Sequence, residues 1–254
     1  MRRLAFRFAP ALALIGVIAA WELACRLFDI PEYLLPSPSR IAQSATEVPP
    51  RMWLENIWAT LDVVLVGFGV SFAISIPLAM MIVRSPVLSR TVSPLLVIIQ
   101  STPIVAVAPI IVVTLGAEML PRVVITCMIT FFPLVISTAS GLRATPDELI
   151  RLSRSLQAPM FRQFLQIRLP YAVPYILSGV KVAVTLAVIG AVVAEFVAAN
   201  QGLGYMILYA TSSFKLPQAF LALMILLCIS LGLYQLVLTI EHRFFSWSIP
   251  ENAR

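Results

Sequence analysis

Of 254 residues, 60% are hydrophobic and only 12% charged, with a mean hydropathy of +0.95. Soluble domains carry about 25% charged residues, so a soluble globular protein is excluded and an all-α integral membrane protein is expected. The net charge of +6 would suggest nucleic acid in a soluble domain. Here the arginines flank apolar blocks, where topology and lipid headgroups account for them, and no basic face with interleaved aromatics points to nucleic acid.

The first 24 residues combine Arg2, Arg3 and Arg7 with an apolar run over 9–24, a pattern shared by signal peptides and first membrane helices. Trp21 and Glu22 directly follow the small pair Ala19-Ala20, and the rest of the chain is itself apolar, so a retained helix is expected. Leu23-Ala24-Cys25 has the look of a lipid-attachment ending, but Glu22 interrupts the apolar run just before it. Cys25, Cys127 and Cys228 each fall within apolar blocks, without a neighbour at metal-ligand spacing, and read as small packing residues. His242 is the only histidine, which excludes a multi-histidine metal site.

Residues 29–60 turn polar, broken by Pro31, Pro36, Pro38, Pro49 and Pro50, while Trp53 and Trp58 supply rings suited to a membrane interface. A loop with one short surface helix is expected. Five further apolar blocks follow at 63–83, 92–115, 123–142, 172–194 and 219–240, each near the 20 residues or so that a bilayer core requires. Six spans put both termini on one side. Arg2, Arg3, Arg7, Arg84, Arg90, the five arginines from Arg143 to Arg168, Arg243 and Arg254 share one face. Arg26, Arg40, Arg51, Arg122 and Lys215 share the other. Twelve against five makes the termini and the stretch 143–170 cytoplasmic.

Three prolines, Pro94, Pro103 and Pro109, interrupt the third block and free carbonyls that lipid cannot satisfy, so this helix should break where protein or water covers it. Gln100, Ser101 and Thr102 sit at the break. They either line a solute pathway or belong to a kinked packing helix whose hydroxyls bond their own backbone. Pro77 and Pro133 are expected to kink the second and fourth spans.

In the fifth block Lys181 and Glu195 are 14 residues apart, about 21 Å along a helix, and cannot pair with each other. Lys181 is expected to snorkel toward the cytoplasm, and Glu195 to face protein or water near the outer side. Gly190, Ala191 and Ala194 offer small faces for close helix packing. Residues 200–205 read as a turn-rich outer segment; their Gly-Leu-Gly has no preceding strand and is not a phosphate loop.

Between the fourth and fifth blocks, 145–170 carries too much charge to span lipid. Thr145 is expected at a helix N-cap, Pro146 at the first helical position and Glu148 at the capping-box position. Leu149, Leu152 and Leu156 form one stripe, Pro159 enforces a bend near 157–159, and Phe161, Phe164 and Leu165 fall together in a second segment ending at Pro170. Periodicity alone fits either an amphipathic hairpin on the bilayer surface or a stripe docked into a groove of a cytoplasmic partner.

At this point the chain resembles the membrane subunits of ATP-binding-cassette importers. Their cytoplasmic loop carries Glu-Ala-Ala, three residues, Gly, nine residues, then Ile, one residue and Leu-Pro. Ile167-Arg168-Leu169-Pro170 matches the end of that motif, whereas Arg151-Leu152-Ser153 and Gln157 depart from its opening and its glycine. The resemblance extends over nearly the whole chain. Leu35-Pro36-Ser37-Pro38-Ser39-Arg40, Phe132-Pro133 with Gly141-Leu142, Ala194-Glu195, Gly202-Leu203-Gly204-Tyr205 and Trp247 are similar to the branch serving nitrate, sulfonates, taurine and thiamine or pyrimidine precursors.

The resemblance implies a single permease domain over 1–254, with its core at 60–240 and a coupling loop at 143–170, in a bacterial plasma (inner) membrane. It implies two copies of this chain around a pathway, two cytoplasmic ATPase subunits, an outer solute-binding protein, and alternating access driven by ATP. Glu148, Leu149, Arg151, Leu152, Ser153, Leu156, Gln157, Ala158 and Phe161 would contact the ATPase. ATP and Mg would belong to those partners, and this chain, with no G-x-x-x-x-G-K-[ST] sequence, would need no cofactor and be no enzyme itself. A pathway lined by Gln100, Ser101, Thr102 and Glu195 would suit a small polar solute. The competing expectation, an ion-coupled secondary transporter or channel, would need ionisable residues inside the spans, where this chain has few.

Overall fold

The structure is a computed structural model describing the backbone of residues 2–248 and the side chains of residues 12–247. Its helices are α1 (Arg2–Leu27), α2 (Pro38–Ser44), α3 (Pro50–Arg84), α4 (Pro86–Ser101), α5 (Ile104–Leu115), α6 (Met119–Arg143), α7 (Asp147–Ser155), α8 (Met160–Gln163), α9 (Leu169–Ala198), α10 (Leu203–Ser212) and α11 (Leu216–Phe244), with no strand among the described residues. Four stretches are long and apolar enough to cross a membrane: α3, α6, the run Met160–Ala198 and α11. The pair α4 and α5, bent by 94°, makes a fifth if taken as one broken span. The Arg2, Arg3 and Arg7 side chains and Arg254, which enter the topology count, lie outside the described residues.

The chain divides into two compact units, one of residues 1–59 with 201–227, the other of residues 60–200 with 228–254. In the second unit α6 runs antiparallel to α9 at backbone-to-backbone range. A Cβ on Gly141 would fall 2.9 Å from Ala172 Cα, one on Gly179 2.6 Å from Ser137 Cβ, and one on Gly190 2.9 Å from Thr126 Cα. Lipid offers no hydrophobic drive between helices, so close van der Waals contact at such small residues holds the pair. Ala187, Ala191 and Ala194, all fully buried, continue the seam on α9. Val135, Ala139 and Leu142 of α6 pack with Ala79 and Ile82 of α3 and with Phe164, Ala172 and Ile176. Ala108, Ile125 and Ala194 form a smaller cluster.

Polar ties hold the other unit together. The Leu35–Arg40 motif is a helix start: Ser37 caps α2 by accepting from the Arg40 N–H, and Pro38 takes the first turn, where its missing N–H costs nothing. Ser39 donates from both its N–H (2.9 Å) and its hydroxyl (2.7 Å) to Glu22 of α1. Arg40 pairs with Glu32 at 2.9 Å and with Glu47 at 2.6 Å. Gln218 of α11 donates to Glu47, the Gly202 N–H donates to Asn56 at 2.7 Å, and the Trp21 and Phe220 rings lie 6.0 Å apart.

Four expectations need correction. The loop expected over 29–60 ends early, since α3 begins at Pro50 and runs 35 residues, about 52 Å; a proline at the first helical position starts a helix as readily as it breaks one. Pro146, not Thr145, is the residue before α7, and the Thr145 hydroxyl instead donates back to the Leu142 carbonyl at the end of α6. Pro170 does not end the second segment: α8 continues through a π-helical turn, Phe164–Arg168, into α9. The Leu169 N–H reaches Phe164 across five residues, widening the turn just ahead of the proline ring, which would otherwise crowd the carbonyl four residues back. The turn-rich reading of 200–205 holds only to Gly202, at φ +120°, because α10 starts at Leu203.

Candidate functional site

The stretch 143–170 is fastened to the end of α6. The Leu142 carbonyl, left without an intrahelical partner, accepts from Thr145 at 3.3 Å and from Arg168 at 3.2 Å. Arg168 also lies over the Phe164 ring at 5.5 Å, and Arg143 donates to Ser89 of α4 at 2.8 Å. Two of the five arginines are thus internal fasteners, and Arg151, Arg154 and Arg162 face outward.

Helix α7 is amphipathic, but its inner face is Ile150 and Ser153, both buried. Among the residues expected at a partner contact, Glu148, Arg151, Leu152, Leu156, Gln157 and Phe161 are exposed, Leu149 and Ala158 are half-buried, and Ser153 is buried. Leu152, Leu156 and Phe161 are 56%, 72% and 75% exposed. Leu152, Leu156, Gln157, Arg162 and Gln166 border a hollow of about 320 Å³ between α7 and the following turn.

The bend is left-handed at Gln157, with φ +54°. The Ala158 N–H reaches back to the Ser153 carbonyl at 3.1 Å, closing a Schellman-type cap, and Pro159 stops further helix. The geometry that glycine adopts freely is held here by glutamine. Asp29 and Phe214 follow α1 and α10 with similar positive φ, so among the described residues three helix ends use a non-glycine residue in this role.

The third block breaks at Thr102-Pro103, between α4 and α5, while Pro94 and Pro109 stay inside those helices. The Ser101 and Thr102 hydroxyls donate back to the Val97 and Ile98 carbonyls, four residues earlier, at 2.8 and 3.0 Å. Beside the break lies a cavity of about 260 Å³ whose polar wall is Gln100 and Thr102 and whose apolar wall includes Val105, Met128, Ile189 and Val193. Ser101 and Glu195 do not line it; Glu195 is 1% exposed in the last turns of α9.

Lys181 does not snorkel freely. Its Nζ donates to Glu241 Oε2 at 2.8 Å, with the side chains 21% and 10% exposed, so α9 and α11 are joined by an ion pair. Glu241 was legible only as a residue just past the last apolar block. The available signal was two lone, opposite charges near the ends of two spans, in surroundings where an unpaired charge is costly.

A family model described as a binding-protein-dependent transport system inner membrane component matches residues 65–245. A probable ABC transporter permease protein of Haemophilus influenzae is 33% identical over 244 residues, covering 96% of this chain and 99% of that one. The formylaminopyrimidine transport permease protein ThiX of Halalkalibacterium halodurans is 31% identical over 247 residues, covering 97% and 98%. The riboflavin transport system permease protein RibX of Chloroflexus aurantiacus is 32% identical over 233 residues, covering 91% and 87%. An inward-facing structure of the MetNI methionine ABC transporter has a TM-score of 0.62 at 20% identity, covering 76% of this chain and 99% of that one, a likeness of fold. With apolar helices enough for several passages and matches along nearly its full length, the chain belongs to the binding-protein-dependent inner membrane components, as a multi-pass permease subunit of an ATP-binding-cassette importer.

Proposed function

We propose that the chain crosses the membrane six times, α1 supplying the first passage and the bent pair of α4 and α5 the third, with both termini and the stretch 143–170 in the cytoplasm. The arginine asymmetry supports this orientation. The whole of 1–254 acts as one permease domain, with its core at 60–240. Two copies form the pathway, an external binding protein delivers the solute, and two ATPase subunits bind ATP and Mg.

In this reading 143–170 is the mechanical input. The observation that carries it is the exposed pair Leu152 and Leu156 flanking a hollow, with exposed Phe161 nearby in sequence at the start of a run, Met160–Ala198, that continues into α9. Met160–Ala198 is a run of 39 residues, about 58 Å at helical rise. Closure of the ATPases displaces α7 and α8, the π-helical turn takes up part of the distortion, and α9 carries the remainder to α6 along their glycine seam. Access then alternates at the break beside Gln100, Ser101 and Thr102, with Glu195 further along α9. The transported solute is small and polar. Among the classes served by this branch the pyrimidine type is favoured, because a relative 31% identical over 97% of this chain is named for formylaminopyrimidine.

The test replaces Leu152 and Leu156 together by aspartate. The doubly substituted chain should insert into membranes normally and lose its co-purifying ATPase; recovery of both at the unaltered ratio would overturn the docking role.

A further inference from the structure

The unit made of residues 1–59 and 201–227 encloses a cavity of about 300 Å³ that the pathway does not use. One wall is aromatic. Tyr205 and Tyr209, one turn apart on α10, hold their rings 6.3 Å apart and within 25° of parallel, and Tyr209 is 56% exposed. Met52 and Met206 add thioethers, which adapt to and contact aromatic faces favourably. Two amides complete the lining, Asn56 and Gln218, each only 8% exposed.

These amides are fixed in place. Asn56 donates to the Met52 carbonyl at 2.7 Å and accepts from the Gly202 N–H at 2.7 Å. Gln218 donates through Nε2 to Glu47 at 3.2 Å, which leaves its carbonyl oxygen as an acceptor for a ligand N–H. The second Asn56 amide proton can serve a ring nitrogen. No charged side chain lines the cavity, and the Glu47 carboxylate behind Gln218 is already paired with Arg40, so an anion would find no counter-charge in the lining.

We infer that this cavity is a binding site for a single-ring, amino-substituted nitrogen heterocycle, occupied on the outer face before the solute enters the pathway. The inference rests on the proposed orientation and on the pyrimidine reading of the solute. Flat heterocycles stack on aromatic faces whatever their substituents, and the buried amides read the polar edge. The volume is at the lower end for small-molecule sites and suits one ring. Met52 and Asn56 precede the stretch matched by the family model, so the N-terminal segment supplies part of the site.

The experiment uses the complete complex in lipid nanodiscs without the binding protein, titrated with 4-amino-2-methylpyrimidine and, separately, taurine. The pyrimidine should bind and taurine should not. Tyr209→Leu should weaken pyrimidine binding about tenfold, whereas Tyr209→Phe, which keeps the stacking face, should stay within about twofold. Gln218→Leu should also weaken it. Unchanged binding by Tyr209→Leu, absence of pyrimidine binding, or equal binding of taurine overturns the site. Transport assays with the binding protein restored separate the two readings. Pyrimidine uptake unaffected by Tyr209→Leu sinks the site and leaves the solute reading standing, while uptake of taurine alone by the wild-type complex sinks both.

Discussion

The seam of α6 and α9 and the unit of residues 1–59 with 201–227 are held together by opposite means. In the seam, Gly141, Gly179 and Gly190 let backbones touch, and no ion pair crosses it among the described residues. In the other unit, Glu22, Arg40, Glu47, Asn56 and Gln218 tie loops and helix ends by charge and hydrogen bonds. The difference follows from the surroundings each is expected to meet. Between spans, shape is the available source of affinity, whereas near water polar groups can be paired at little desolvation cost.

If shape holds the seam, adding bulk there should produce the largest loss. Gly190→Leu should cost about 3 kcal/mol or more, since even its first carbon meets the Thr126 backbone. Gly69→Ala on α3, where nothing lies within 4 Å, is the control and should be neutral or mildly stabilising. Thermal loss of the monodisperse peak in detergent reads both, and equal melting would break the comparison.

Next comes the ion pair, the exception inside the spanning unit. Lys181→Ala leaves Glu241 without its partner and should cost about 2 kcal/mol, below the loss for a fully buried pair because Lys181 retains some exposure. Exchanging the two residues should recover most of that loss in the same melting assay. A smaller effect is expected at the left-handed cap: Gln157→Val should cost about 1 kcal/mol, because a β-branched side chain resists positive φ. Gln157→Gly should melt and retain the ATPase as the parent does.

The smallest effect belongs to the water-facing ties. The Gln218 hydrogen bond, then Arg40, hold the Glu47 carboxyl below its ordinary range, and Glu32, then Glu47, raise Arg40. A folded-state value below the unfolded one means that Glu47 contributes fully near neutrality and loses its contribution as pH falls through the lowered value. Glu47→Gln should therefore flatten the acid limb of a stability profile by lowering the neutral-pH plateau slightly while leaving the acid end unchanged; an unaltered acid limb would show the tie to be idle.

Much of the spanning architecture was legible from apolar blocks, because a bilayer demands runs of fixed length. The helix break was legible at Gln100, Ser101 and Thr102, directly before Pro103, while Pro94 and Pro109 stay within helices. At the candidate docking stretch, periodicity over 145–170 marked its amphipathic helix, but Ile150 and Ser153 proved to be the inner face. A stripe of leucines shows that a face exists and cannot say which neighbour covers it. The pairing of Lys181 with Glu241 was hidden by 60 residues of separation.

The sequence by itself determined the membrane class, the apolar blocks, the bend before Pro159 and the family, since each depends on local composition or on a motif in order. Tertiary structure decided the partner of Lys181, the use of Arg143 and Arg168 as fasteners, the glycine contacts along α6 and α9, and the aromatic cavity of Tyr205 and Tyr209. Each of those joins residues far apart in the chain, and their energies depend on distances of a few ångströms that no local pattern specifies.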